Sequence, residues 1–227
     1  MKLYDLLVGF FVGILVISNV VTIKVFEIDI LGVRLVFDGG ALVFPLCYIL
    51  ADIFTEVYGY SKARKVIWLG FGILILFNLV LYFVLYLPPE GSWDRQIGQE
   101  NFEKVLGISP RIAIAGIVAY FFGEFLNSLI MAKMKIRYKS RYLWNRVVLS
   151  TLAGQLVDTS IFCILAFVFV IDFSSLINYI FTGYFYKVAV EIILSPITVI
   201  VIQKVKQIEQ IDYYDYNTNF NPFAIKL

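Results

Sequence analysis

Apolar positions in this chain fall into six long blocks, at about 6–26, 40–57, 66–87, 112–131, 147–171 and 176–202, with short polar stretches between them. At about 1.5 Å of rise per residue, blocks of roughly twenty residues match the hydrocarbon core of a bilayer, about 30 Å thick. None of them alternates polarity over ten-residue units as the strands of an outer-membrane barrel would. The pattern predicts an all-α membrane protein, a six-transmembrane-helix bundle. It forms one integral membrane domain over 1–227 with a polar tail at 204–227. The first block reads as a retained span rather than a cleaved leader. It is long, carries Asn19 and Thr22, and has no small-residue cleavage site.

Composition excludes most other classes. Of 227 residues, 60% are hydrophobic and 16% charged, against about 45–50% and about 25% in soluble domains. A soluble enzyme or a disordered chain does not fit. Net charge is +2 and the basic residues are scattered, so no face tracks a phosphate backbone and no nucleic-acid partner is expected. The sequence has no His, which removes the commonest metal ligand and proton shuttle. Cys47 and Cys163 both lie inside apolar blocks, as small buried hydrophobes do, and fit neither a disulfide framework nor a zinc site. No metal and no cofactor is expected. No nucleophile motif or phosphate-binding loop is present. A Ser–Lys pair of Ser160 or Ser195 with Lys187 is the remaining catalytic arrangement, a poor match to the rest of the pattern.

Orientation follows from Lys and Arg in the connections. The two termini and the even-numbered connections hold thirteen, against four in the odd-numbered ones: Arg34, Arg95, Lys104 and Arg111. Both termini are therefore expected in the cytoplasm, and the basic stretch from Lys133 to Arg146 reads as topology. In the first outer connection, Ile28, Ile30, Val33, Leu35 and Phe37 alternate around Gly32, the pattern of a short hairpin. In the long connection at 88–110, residues 101–106 predict a short amphipathic helix stopped by Gly107. A connection of this length is either a lid or a solvated linker.

Ionisable groups inside the bilayer cost at least about 2.5–3.5 kcal/mol and are the default functional candidates. They are Asp52 and Glu56 in span two, Glu124 in span four, Asp158 in span five, and Lys187 and Glu191 in span six. Asn19, Asn78, Asn127 and Gln155 add amides. Asp52 with Glu56 and Lys187 with Glu191 are four apart; Glu124 with Asn127 and Gln155 with Asp158 are three apart. Each pair shares one helix face. Counted along the helices, Asp52, Glu124, Asp158 and Lys187 all lie about 16–18 Å deep. They predict an acid-rich, amide-containing cavity at mid-depth that holds a small molecule rich in hydrogen-bond donors, or a cation. Asp158 is expected to pair with Lys187 across the bundle. Glu56 has Lys62, Arg64 and Lys65 as nearby partners, and Asn78 reads as a contact between helices.

Several runs resemble one family. Phe44-Pro45-Leu46-x-Tyr48-Ile49-Leu50-x-Asp52-Ile53-x-Thr55-Glu56-Val57-Tyr58-Gly59 is the most specific. Ser18-Asn19, Ala63-Arg64-Lys65-Val66-Ile67, the run from Ser150 to Phe162, and Tyr214-Asp215 with Thr218-Asn219-Phe220-Asn221-Pro222-Phe223 extend it over nearly the whole chain. The chain resembles the VUT (vitamin uptake transporter) family of queuosine precursor transporters. The resemblance implies a fold similar to the substrate-binding subunits of energy-coupling-factor transporters. It implies a site in a bacterial cytoplasmic (inner) membrane for 7-deazaguanines, nitrile or aminomethyl, or for queuine. On it, Asn19, Asp52, Glu56, Asn127, Gln155, Asp158 and Lys187 match family positions. Glu124 is a departure, because the family commonly carries an amide there. The full candidate set is those residues with Glu124 and Glu191. The alternative is a binding subunit for another small planar vitamin or nucleobase that needs an ATP-driven partner. Self-association into a homo-oligomer is compatible with either.

Overall fold

The computed structural model describes residues 2–30, 33–107, 110–139, 141–170 and 172–224. Helix α1 (Tyr4–Val21) leads into a hairpin of β1 (Val25–Ile30) and β2 (Val33–Asp38). The strands pair antiparallel in the register Val25 with Asp38 through Ile30 with Val33, as the alternation predicts; Gly32 lies outside the described residues. A 3₁₀ turn (Gly39–Leu42) precedes α2 (Phe44–Ile53), which runs into a π turn (Phe54–Tyr58). Then come α3 (Tyr60–Leu85), the short α4 (Gly91–Gln96) and α5 (Gln99–Leu106), α6 (Pro110–Tyr138), α7 (Leu143–Phe167) and α8 (Phe173–Glu209). The helix expected at 101–106 is the body of α5, and Gly107 ends it. Glu90 caps α4 through hydrogen bonds from the Ser92 hydroxyl and the Ser92 and Trp93 N–H groups, which hold its carboxyl down at about 2.

The protein is an all-α membrane bundle with this hairpin at one end. Among the described residues five helices, α1, α3, α6, α7 and α8, are long and apolar enough to cross a membrane. The predicted second span differs. Its ten α-helical residues and five-residue π turn reach only about 22 Å at 1.5 Å per residue. The reason is local. Gly39 and Gly40 open the segment into a 3₁₀ turn, and Gly59, at φ +85, closes it. The second span is thus a short, broken inner helix, buried throughout its π turn; with its opening 3₁₀ turn it runs the length of α1, from Gly39 beside the Val21 carbonyl to Tyr58 beside Tyr4. Outward faces of the long helices are apolar, with Leu79, Phe83, Phe181, Phe185 and Ile193 exposed. In water such side chains would form a large sticky surface; in a bilayer they meet lipid.

Packing between helices relies on aromatic edges and on glycine. Phe54 meets Phe11 and Tyr4 edge-on at 5.9 and 5.8 Å. Helices α6 and α7 approach closely at Gly123 and Gly154. A Cβ on Gly123 would stand 2.7 Å from the Asp158 Cβ, and one on Gly154 would stand 2.9 Å from the Asn127 Cβ. Without a hydrophobic drive between helices in lipid, such close contact carries much of the association. It also brings the polar faces of α6 and α7 to one level.

The two ends of the chain meet at the same end of the bundle. Glu209 accepts hydrogen bonds from the Lys2 and Leu3 N–H groups. Asp215 accepts the Tyr60 N–H at 3.1 and 3.0 Å and caps α3. The segment expected as a polar tail begins later than predicted, because α8 continues through Glu209. Beyond it the chain is docked, not free. Arg64 donates to the Asn219 and Asn221 carbonyls at 2.8 Å, and Trp68 donates to Pro222 O at 2.9 Å.

Candidate functional site

Near the middle of the long helices two polar layers meet. On one side, Asn127 of α6 donates to Asp52 of α2 at 3.1 Å. One turn further, Thr55 donates to Ser128 at 2.9 Å. On the other side, Lys187 of α8 pairs with Asp158 of α7 at 2.6 Å, as expected from their depths. Glu191 does not pair with Lys187. Its carboxylate accepts Thr151 Oγ1 at 3.0 Å and Gln155 Nε2 at 3.4 Å. The spacing rule is what makes this possible: Gln155 and Asp158 face α8 together, as Lys187 and Glu191 face α7. Tyr48, one turn before Asp52, lies within reach of Gln155, Asp158, Glu191 and Glu124, so it faces both layers. Glu124 in turn lies within reach of Asp52 and Asp158.

What distinguishes this layer is what it leaves open. Glu124 Oε2, Asn127 Oδ1, Gln155 Oε1, Thr159 Oγ1 and Tyr120 Oη are buried and have no hydrogen-bond partner. A buried polar atom without a partner costs about 1–3 kcal/mol. Several of them fall within two adjoining helices, α6 and α7, where each would be satisfied by a bound polar group.

Glu56 stands apart. It is fully buried and held by Arg146 of α7 through both oxygens, one contact at 3.0 Å. Lys206 of α8 reaches it at 2.6 Å and Lys135 of α6 at 3.8 Å. Lys135 also donates to the Glu56 and Tyr213 carbonyls at 2.5 and 2.6 Å, and Asp212 joins both lysines at 2.6 and 2.8 Å. Lys62, Arg64 and Lys65, the partners near in sequence, are not the ones used. Arg64 is committed to the tail. Asn19 donates to the Leu15 carbonyl of its own helix at 2.9 Å, and no hydrogen bond joins it to the central layer. Asn78 likewise bonds back to Leu74 O at 2.8 Å rather than to another helix. Ser195 and Lys187 of the Ser–Lys arrangement are both committed elsewhere. Ser195 is engaged by Trp144 and Ile192, and Lys187 by Asp158.

Sequence reasoning missed Arg146, Lys135 and Lys206, because loop cations were assigned wholly to topology. In the sequence Tyr48 stands out only as part of a motif. Its position four residues before Asp52 places both on one face, which was the available clue.

Polar groups gathered in mid-bundle, with acceptors left open, are the mark of membrane proteins that take up a small polar molecule. Comparison with known proteins assigns the chain to such a family. Residues 38–201 match the family model described as "Putative vitamin uptake transporter", and the chain belongs to this family. It is 31% identical over 182 residues to a protein of Bacillus subtilis named "Probable queuosine precursor transporter", covering 80% of this chain and 76% of that one. It is 30% identical to the "Queuosine precursor transporter" of Escherichia coli over 56% of this chain and 54% of that protein. A "Probable queuosine precursor transporter" of Haemophilus influenzae is 26% identical over 56% of this chain and 51% of its own length. No solved structure matches the chain.

Proposed function

We propose that this chain is a multi-pass transporter that imports queuosine precursors, 7-deazaguanines or queuine, across the bacterial cytoplasmic membrane. The names of its relatives support the substrate class. The observation that carries the reading is the set of unpartnered acceptors, Glu124 Oε2, Asn127 Oδ1 and Gln155 Oε1, beside the buried Asp52. A guanine-like edge presents a ring N–H and an exocyclic NH₂ side by side. A carboxylate accepts both at once, as acidic side chains read base donors elsewhere. Asp52, oriented by Asn127, takes that edge; Gln155 and Tyr48 line the ring; Asp158 and Lys187 close the far wall. Glu56 and Asn19 stand outside this arrangement, Glu56 as a link between helices. The thirteen-to-four distribution of cations supports placing the shared end of both termini in the cytoplasm.

The test is uptake by liposomes that contain this chain alone. Radiolabelled deazaguanines and queuine should accumulate without ATP, and an unrelated purine of the same size should not compete. Binding without uptake, restored by an ATP-driven partner, would make the chain a binding subunit. Neither binding nor uptake of any of the three would refute the reading.

A further inference from the structure

Carboxyl groups outnumber cations in the central layer. Asp52, Glu124 and Glu191 make no ion pair among the described residues, and the one cation of the layer, Lys187, is taken by Asp158. Four residues beyond Asp52, Glu56 is met by three cations, so the imbalance is a property of the layer and not of the fold. Of the three unpaired carboxylates, Asp52 is engaged by Asn127, and Glu191 by Thr151 and Gln155. Glu124 is different. It is 7% exposed, its Oε2 is unpartnered, and no described residue donates to it. The groups whose charge it feels, or that feel its own, are Asp52 and Cys47 of α2, Tyr48 of α2, Tyr120 of α6, Asp158 of α7 and Glu191 of α8. None of these is a cation.

Dipolar donors on a neutral ring satisfy hydrogen bonds but bring no counter-charge to that carboxyl. A protonated alkylamine supplies both three donors and a unit of positive charge. We infer that Glu124 is a specificity-determining residue that selects a ring bearing a protonated alkylamine over the same ring with a neutral substituent. The inference rests on the transport reading above and narrows its ligand to the ammonium-bearing member of the class.

The experiment compares 7-aminomethyl-7-deazaguanine with 7-cyano-7-deazaguanine, which share the ring and differ in charge at one substituent. Both are titrated against the purified full chain in lipid nanodiscs, native and with Glu124→Gln. The native protein should bind the aminomethyl ring at least about tenfold more tightly, a typical scale for one unmatched buried charge. Glu124→Gln should bring the two affinities to within about threefold of each other. Equal affinities in the native protein, or a preference that survives Glu124→Gln, would overturn the inference and leave the transport reading intact. If the variant binds neither ring, the native ratio decides by the same threshold. Failure of the native protein to bind either ring would remove the transport reading and this inference together.

Discussion

Asp52 and Glu56 lie four residues apart on one short helix, both almost wholly buried, yet their surroundings follow opposite rules. Around Glu56 each carboxylate oxygen meets a cation, from α6, α7 and α8, and the carbonyl beside it is taken as well. Around Asp52 the neighbours are an amide and further carboxylates, and acceptors remain open. A saturated buried cluster fixes helices relative to one another. An unsaturated one is destabilising by itself and persists where something else completes it. The same helix therefore carries a fastening at one turn and open acceptors, the proposed site, at the next. Substitutions should divide accordingly, into losses of stability at Glu56 and losses of transport at the layer of Asp52.

The largest effect should come from breaking the fastening. Arg146→Ala removes both hydrogen bonds to Glu56 and leaves a buried carboxylate with the two lysines. A broken buried pair costs about 3–5 kcal/mol. Thermal unfolding in detergent should show a clear drop. A shift no larger than that of an exposed loop substitution would mean that the cluster does not hold the helices.

The next effect falls on the layer of Asp52. Asp158→Asn should cut uptake more than tenfold while the protein still inserts. Lys187→Ala alone should also destabilise, because it leaves Asp158 without its partner. The double substitution restores charge balance. Normal transport by the double variant would make the pair scaffolding and move the site away from α7 and α8.

These two regions were unequally legible in the sequence. The spans were readable because lipid enforces long apolar runs, and the polar faces because helical spacing is local. Asp158 with Lys187 was reachable from equal depths. The partners of Glu56 were not. Arg146 and Lys206 lie 90 and 150 residues away, and no local rule singles them out among thirteen loop and terminal cations. The shortness of the second span was also hidden. Its hydropathy is continuous, whereas its ends are set by backbone conformation at Gly39 and Gly59. Asn19 matched its family motif, yet its amide closes onto its own helix, a choice that composition does not reveal.

A smaller effect should follow from Gly123→Ala. The added methyl would stand 2.7 Å from the Asp158 Cβ, and overpacking of this kind costs about 1–3 kcal/mol. Because α6 and α7 carry opposite walls of the layer, uptake should fall along with the unfolding temperature. A full retention of both would mean that the two helices are free to separate at this level.

The central claim is that the open acceptors at mid-bundle read the donors of a guanine-like edge. Competition against uptake of a radiolabelled deazaguanine tests it directly, using an analogue with hydrogen in place of the exocyclic amine. A site built to bond such donors rejects a ligand that lacks them by several orders of magnitude, because its buried acceptor stays unpaired. The amine-less ring should compete very weakly, and a ring altered only at its seven-position more strongly. Equal competition by the amine-less ring and the parent would contradict the claim, and would assign recognition to aromatic stacking and shape.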